Sequence, residues 1–358
     1  MKLALVITHP IQYYAPVFQL LAKEVQLKVF YTAKKRKAFD PGFQQNIVWD
    51  IPLLQGYDYT FNEDQSVIEN LIEFNPHYLL IYGWACSTHI NILTHFKNKI
   101  PILFRGDSNL LREAPWYKEI LKNLALKWVY THVQTALYTG TSNKAYFKKY
   151  GLKDSQLIFA PHAIDNNRFA THKCSSSIRA ELGLKHQDLL VLFVGKFTRN
   201  KNPLLLLRAF VEANIANTHL LFVGSGLLEL TLQNAAKQND NIHVLPFQNQ
   251  QEIPAFYQAC DLFCLPSNHE TWGLSINEAM ACGKAVLVSD GCGAAVDLVT
   301  RNNGKIFKQE DVADLAQKLK YFLNQPAKLE KAGRQAAVDI SEWNFNNQSR
   351  AIIDSLYA

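Results

Sequence analysis

Between residues 262 and 288 the sequence reads as strand, loop, helix, strand. Leu262-Phe263-Cys264-Leu265 is a short apolar run, residues 266–272 are polar, the helix-forming stretch that follows stops at Gly283, and Ala285-Val286-Leu287-Val288 is apolar again. A glycine just past a helix end is a usual stop, because it takes the left-handed backbone there without a steric penalty. Two strands joined through a helix lie parallel in one sheet, and strands apolar at every position are those covered on both faces. The chain is therefore expected to be an α/β protein.

The same stretch predicts a binding site. A helix opening near Gly273 leaves the N–H groups of residues 273–276 aimed at the preceding loop, and the helix dipole adds positive potential, so the spot attracts phosphate. Glu270 lies in that loop and Glu278 inside the helix, roughly 8 Å further along at about 1.5 Å per residue. An anion site flanked by two hydroxyl-accepting carboxylates suits a sugar, a diphosphate and a ribose in line.

The rest of the chain repeats this rhythm. Strands are predicted at 2–8, 26–31, 78–82, 102–104, 136–138 and 157–161, then at 189–194, 220–223 and 242–245. His9 and Pro10 open a polar, aromatic loop at the carboxyl end of the first strand, where open α/β sheets place ligands. His9 fits such a contact and equally a capped histidine at a strand end. The connection 34–62, rich in aromatics and poor in periodicity, reads as a substrate-facing or hairpin insert. Residues 117–130 form an amphipathic helix with Tyr117, Ile120, Leu121, Leu124 and Trp128 on one face. Gly140-Thr141-Ser142-Asn143 is a capping signal for a helix over 144–150. In the second half, Gly195 and Lys196 begin a basic loop containing Arg199 and Lys201, and Pro203 opens a helix. Gly224-Ser225-Gly226 ends another strand, and two glycines there suit close approach of a ligand or a plain tight turn. The polar tract Cys174-Ser175-Ser176-Ser177 marks a junction, giving domains over 1–168 and 169–342 with a cleft between them. The tail 343–358 is expected to pack back on the first.

Composition narrows the function. At 358 residues, two domains of ordinary size are expected, each with its own core. No apolar run is long enough to span a bilayer, and Met1-Lys2-Leu3-Ala4-Leu5 leads into His9-Pro10 without the pattern of a signal peptide. The six cysteines lack CxxC spacing and read as reduced thiols of a cytoplasmic protein, with no metal site. The net charge of +6 is uneven: residues 1–165 hold 18 Lys and Arg against 13 Asp and Glu. Lys34-Lys35-Arg36-Lys37 and the lysines at 118, 122, 127, 144, 148 and 149 are either solvated surface or a contact for an anionic membrane or a phosphorylated acceptor. No nucleic-acid-binding module is recognisable.

The stretch LPSNHETWGLSINEAMACGKAVLVSD, preceded by VGKFTRNKNP and FVGSG, resembles the family 4 retaining glycosyltransferases of the GT-B fold. The likeness covers nearly all of the second half. THPIQYYAP and LFRGDS make the first half similar to the acceptor domain of bacterial polysaccharide transferases. The resemblance implies two facing Rossmann-like domains and a nucleotide-sugar co-substrate, with no separate cofactor and no metal. It implies that Glu270 accepts hydrogen bonds from the donor sugar and Glu278 from the ribose. Lys196 and Lys201 match a basic pair for the diphosphate, with Arg199 able to replace the first. Backbone at Trp272, Gly273, Leu274 and Ser275 would cradle the distal phosphate, and Val244, Leu245, Pro246 and Gln251 fall where the family holds the base. Many members carry a sugar-contacting histidine where this chain has Arg105, followed by Gly106-Asp107. Arg105 and Asp107 then form either an ion pair shaping the acceptor site or a structural pair.

The implied reaction is retaining transfer from a UDP-sugar, or secondarily a GDP-sugar, to a saccharide or lipid-linked saccharide in cell-surface polysaccharide or lipopolysaccharide synthesis. Two alternatives stand beside it. A nucleotide-sugar 2-epimerase has a similar architecture but lacks the Glu-x7-Glu loop, and a non-catalytic nucleotide-sugar-binding partner would share the site without turnover.

Overall fold

The structure, a computed structural model, describes residues 1–33, 39–62, 67–112, 115–171 and 176–357. The basic cluster at residues 34–37 and the start of the tract at 174–177 lie outside the described residues. The chain divides into two compact units: Met1–Lys37, Ile51–Ala163 and Phe345–Ala358 make one, and Ala38–Asp50 and Ile164–Asn344 the other. The break falls at Ala163 rather than at 168, because Ile164 bridges to Asn344 and the Asn166 amide donates to Ile340 O at 3.1 Å. Residues 38–50, read from sequence as part of the first domain, belong to the second unit.

The first unit holds a seven-stranded parallel sheet: β1 (Lys2–Ile7), β2 (Gln26–Tyr31), β3 (Asp58–Phe61), β4 (Tyr78–Tyr82), β5 (Ile102–Arg105), β6 (Thr135–Tyr138) and β7 (Leu157–Phe159), in the order β3-β2-β1-β4-β5-β6-β7. Side chains alternate across a strand. Ala4 and Val6 accordingly enter one core, while Leu3, Leu5 and Ile7 enter the other with Val17, Phe18 and Leu21 of the helix Ala15–Glu24. Ile352, from the helix Phe345–Asp354, packs into that second core as well. β3 was not expected from sequence. It is a half-exposed edge strand, so Asp58-Tyr59-Thr60-Phe61 carries no continuous apolar run. The helix near 144 also starts earlier than its capping signal suggests. It spans Thr141–Lys149 behind an extended Gly140, and Asn143 Oδ1 accepts instead from Thr139 N at 3.0 Å.

The second unit holds six parallel strands: β8 (Leu189–Val194), β9 (Thr218–Val223), β10 (Ile242–Leu245), β11 (Leu262–Leu265), β12 (Ala285–Ser289) and β13 (Gly304–Phe307), in the order β10-β9-β8-β11-β12-β13. The edge strand β13 extends the sheet beyond the expected set. Val191, Phe193, Leu220, Phe222, Leu262 and Leu287 share one core with Leu205 and Leu315 from flanking helices. Both sheets thus follow the doubly wound 3-2-1-4-5-6 order. Connections leave in opposite directions on either side of the first strand, and the loops there diverge to leave a crevice at the carboxyl ends. In the second unit that place lies between β8 and β11.

The helix Trp116–Tyr130 brings a reversal. Its buried side is the strip Leu126, Val129 and Tyr130, and the apolar face read from sequence is exposed.

Candidate active site

The loops after β8 and β11 are stitched together at the switch point of the second sheet. Asn268 N donates to Asn200 O at 2.8 Å, Asn200 Nδ2 to His269 O at 2.8 Å, and Asn202 Nδ2 to Asn268 Oδ1 at 2.8 Å. The second loop is tied to the chain beyond β12 as well, with Glu270 N donating to Gly291 O and Gly293 N to Glu270 O. This frame places Lys201 Nζ 2.6 Å from Glu270 Oε1, both side chains largely buried. Two residues far apart in sequence thus form one charge pair at the mouth of the crevice. Arg199, on the same loop, is exposed.

The helix after β11 spans Leu274–Ala281, with Gly273 as N-cap at φ 105° and Gly283 beyond its end at φ 68°. A Cβ at Gly273 would lie 3.0 Å from Leu265 Cδ2, so backbone strain and crowding both require glycine. Ile276 N–H already donates to Gly273 O at 2.9 Å, which shortens the set of first-turn donors expected from sequence. Glu278 is 4% exposed, and Tyr257 Oη donates to its Oε2 at 2.7 Å. Tyr257 uses one of about four acceptor positions on that carboxylate. The Trp272 side chain is turned into the unit, where its Nε1 donates to Asn277 Oδ1 at 2.9 Å and its ring lies 5.0 Å from that of Trp343. The sequence reading drew on its backbone, not on this ring. Leu274 and Ser275 are half-buried beside it.

Glycines at 195, 224 and 226 have φ of 148°, 153° and 145°. A Cβ on Gly224 would sit 1.9 Å from Gly195 O, and one on Gly226 would sit 2.8 Å from Phe197 O and 2.9 Å from Gly42 O. What approaches this pair closely in the structure is protein backbone.

Gly42 belongs to a segment that sequence alone did not attach here. Asp40 Oδ2 accepts from Lys196 Nζ at 3.0 Å, Phe43 O from Ser225 Oγ at 2.9 Å, and Val48 O from Asn249 Nδ2 at 2.7 Å. Asp50 accepts from Gln250 N and Gln251 N, and Gln251 Nε2 donates to Asp50 O at 2.7 Å. Lys196 and Gln251 are therefore engaged by 39–50, whose Phe43 and Trp49 meet the Phe247 ring edge-on at 4.7 and 6.2 Å; the nearby strand positions Val244 and Leu245 are half-buried. Partial burial pushes the Asp40 pKa up, but hydrogen bonds from Lys196 and from Gly42 and Phe43 N–H outweigh it and hold the carboxyl below its usual range. Sequence read the connection 34–62 as an insert but gave no sign of its partner. Tyr257, on the helix Ile253–Ala259, was also missed, since it reads as another core aromatic.

His9, Arg105 and Asp107 belong to the first unit. His9 Nδ1 lies 2.9 Å from Thr8 Oγ1. Arg105, expected at a catalytic position, is instead 1% exposed: Nη1 donates to Ala160 O and Nη2 to Pro161 O, each at 3.0 Å, with the Gln348 amide oxygen 3.3 Å from Nη2. A guanidinium donating to two buried carbonyls positions the chain at this strand end. The same charge, after burial itself, pushes the neighbouring His162 down to about 4, with Asp107 opposing. Exposed in the unfolded chain, this imidazole titrates near 6.5, so between pH 6.5 and about 4 only the unfolded state takes the proton. Stability is expected to fall by up to about 3 kcal/mol as pH drops through that window and to be unaffected above it. Thermal unfolding across the range should show this slope flattened in His162→Gln; an equal slope in both proteins removes His162 as its source.

Residues 175–339 match the family model of glycosyl transferases group 1. The match lies within the second unit. Among curated proteins, the D-inositol 3-phosphate glycosyltransferase of Mycolicibacterium smegmatis is 32% identical over 172 residues, covering 46% of this chain and 39% of that protein. The chain thus spans half or less of the length of the first curated relatives it matches. Solved structures agree over the whole chain. Anabaena HepE in complex with UDP aligns with a TM-score of 0.79 at 16% identity, covering 100% of both chains. Sucrose-phosphate synthase from Thermosynechococcus elongatus aligns at 0.76 and 18% identity, covering 100% of this chain and 98% of that one. The fold is GT-B: two Rossmann-like units with parallel sheets.

Proposed function

We propose that the protein is a retaining glycosyltransferase that moves a sugar from a nucleotide diphosphate donor to a saccharide or lipid-linked saccharide. The observation carrying this reading is the Lys201–Glu270 pair at 2.6 Å beside the N-terminus of the Glu278 helix, within the stretch that matches the group 1 glycosyltransferase model. Glu270 takes the donor-sugar hydroxyls, Glu278 the ribose, and Lys201 the diphosphate, assisted by Lys196 or Arg199. Lysine has three donors, so Lys201 can keep Glu270 and still meet a phosphate oxygen. In the step itself the bond from the anomeric carbon to the phosphate oxygen breaks. The acceptor oxygen bonds the same face of that carbon, and its proton passes to the departing diphosphate. The protein supplies positioning and stabilisation of the growing charge, without a metal.

A UDP-sugar is the first choice of donor and a GDP-sugar the second. The acceptor belongs to cell-surface polysaccharide assembly, and the protein works peripherally on the cytoplasmic face of a membrane. Among the described residues no helix is long and apolar enough to cross one.

A thermal-shift screen against UDP, GDP, ADP and their sugars tests the donor site, since a ligand at 100 times its Kd adds about 2.7 kcal/mol. Stabilisation by one nucleotide family is expected, followed by sugar transfer with that donor and a panel of saccharides. No response to any nucleotide removes the reading. Epimerised donor without acceptor would favour the epimerase, and tight binding without turnover the non-catalytic partner.

A further inference from the structure

We infer that the exposed face of the helix Trp116–Tyr130 inserts into the surface of an anionic lipid bilayer. This specifies the peripheral placement proposed above and does not depend on the transfer reaction.

Six large apolar side chains share that face: Trp116 is 76% exposed, Leu121 66%, Leu124 64%, Ile120 51%, Trp128 50% and Tyr117 49%. At about 100° per residue they span roughly 140° of the helix circumference. The opposite strip holds the helix to its unit: Leu126, Val129 and Tyr130 are buried, and Glu119 accepts from Lys149 Nζ at 2.6 Å and Tyr150 Oη at 2.7 Å. The apolar ridge is therefore presented by an anchored helix. Soluble monomers seldom leave so much apolar area contiguous without a partner.

Two features select lipid as that partner. The first is the layout, with Trp116 and Tyr117 at one end, Trp128 at the other, and Ile120, Leu121 and Leu124 between. Indole and phenol rings favour the headgroup level, and aliphatic side chains the acyl boundary. The second is charge. The helix has a single acid, Glu119, which is turned inward to Lys149 and Tyr150, whereas Lys118 and Lys127 are exposed. Arg112, before the helix, is exposed too. The outward side is thus apolar and cationic, complementary to anionic headgroups. A second copy would bring the same lysines against each other, and protein interfaces are depleted in lysine.

The test is sedimentation of the full chain with vesicles of phosphatidylcholine alone or containing about 30% phosphatidylglycerol. Binding to the anionic vesicles is expected, weakened by salt. It should come with a blue shift of tryptophan emission that is absent in Trp116→Phe/Trp128→Phe. Leu121→Glu/Leu124→Glu should bind at least tenfold more weakly, and Lys118→Glu/Lys127→Glu should lose the preference for anionic lipid. Because these side chains are exposed, unchanged thermal unfolding verifies that each variant folds. No binding to anionic vesicles overturns the inference, as does binding that Leu121→Glu/Leu124→Glu leaves intact. A solution dimer abolished by that same variant overturns it in favour of self-association. The nucleotide thermal shift, measured without vesicles, reports separately on the transfer reading.

Discussion

Lys201→Ala is expected to lower kcat/KM by roughly two to three orders of magnitude, the usual effect of removing one donor from the charge that develops in the transition state. The lysine should act mainly through kcat, because the diphosphate is most negative as its bond to the sugar breaks. A stability effect accompanies it. Glu270 keeps only 13% of its side chain exposed, so losing the partner at 2.6 Å leaves a carboxylate short of a hydrogen bond, at about 1–3 kcal/mol. Glu270→Gln and the double variant separate the two roles. If the residues meet only as a structural pair, the double variant regains most of the lost stability and neither single change alters turnover beyond that loss. A kcat/KM within threefold of wild type in folded Lys201→Ala would take the lysine off the leaving group.

Glu278→Ala is the second large effect, and it should appear in binding. Hydrogen bonds to a charged group contribute about 1.5–3 kcal/mol each, so the nucleotide should bind at least tenfold more weakly and its thermal shift should shrink accordingly. The same change strands the Tyr257 hydroxyl, which donates to Glu278 at 2.7 Å in a buried setting. Tyr257→Phe separates the two consequences. It removes the tyrosine hydroxyl while keeping the carboxylate, and should leave nucleotide affinity within about threefold, since the group assigned to the ribose is retained. An undiminished nucleotide shift in Glu278→Ala would contradict the ribose assignment.

The central strands were legible because a strand covered on both faces must be apolar at nearly every position, as in Leu3 to Ile7 and Leu262 to Leu265. Two of the four edge strands were not: Asp58–Phe61 and Gly304–Phe307 are partly exposed and lack a continuous apolar run, whereas the edges Leu157–Phe159 and Ile242–Leu245 were still apolar enough to read. The helix start at Gly273 was legible for a related reason, since φ of 105° admits little else. Contacts between distant loops had no sequence signal. Lys201 and Glu270, or Lys196 and Asp40, become neighbours only once the sheet order is known. Arg105 shows the opposite error: a cation at a strand end reads as functional until the carbonyls of Ala160 and Pro161 are seen to absorb it. Hydrophobic periodicity located the face of the helix Trp116–Tyr130, but periodicity alone does not say whether such a face meets protein or solvent.

The salt bridge from Asp40 to Lys196 has a bearing on how donor affinity should be measured. A carboxylate tethered against that lysine is an intramolecular ligand, always present at its own effective concentration. If a donor diphosphate claims Lys196, its apparent affinity is the intrinsic one multiplied by the fraction of molecules in which Asp40 has let go. With the tethered state favoured about tenfold, binding is about tenfold weaker than the lysine alone would permit. Segment 39–50 would then be the first part of the chain to register the arrival of donor.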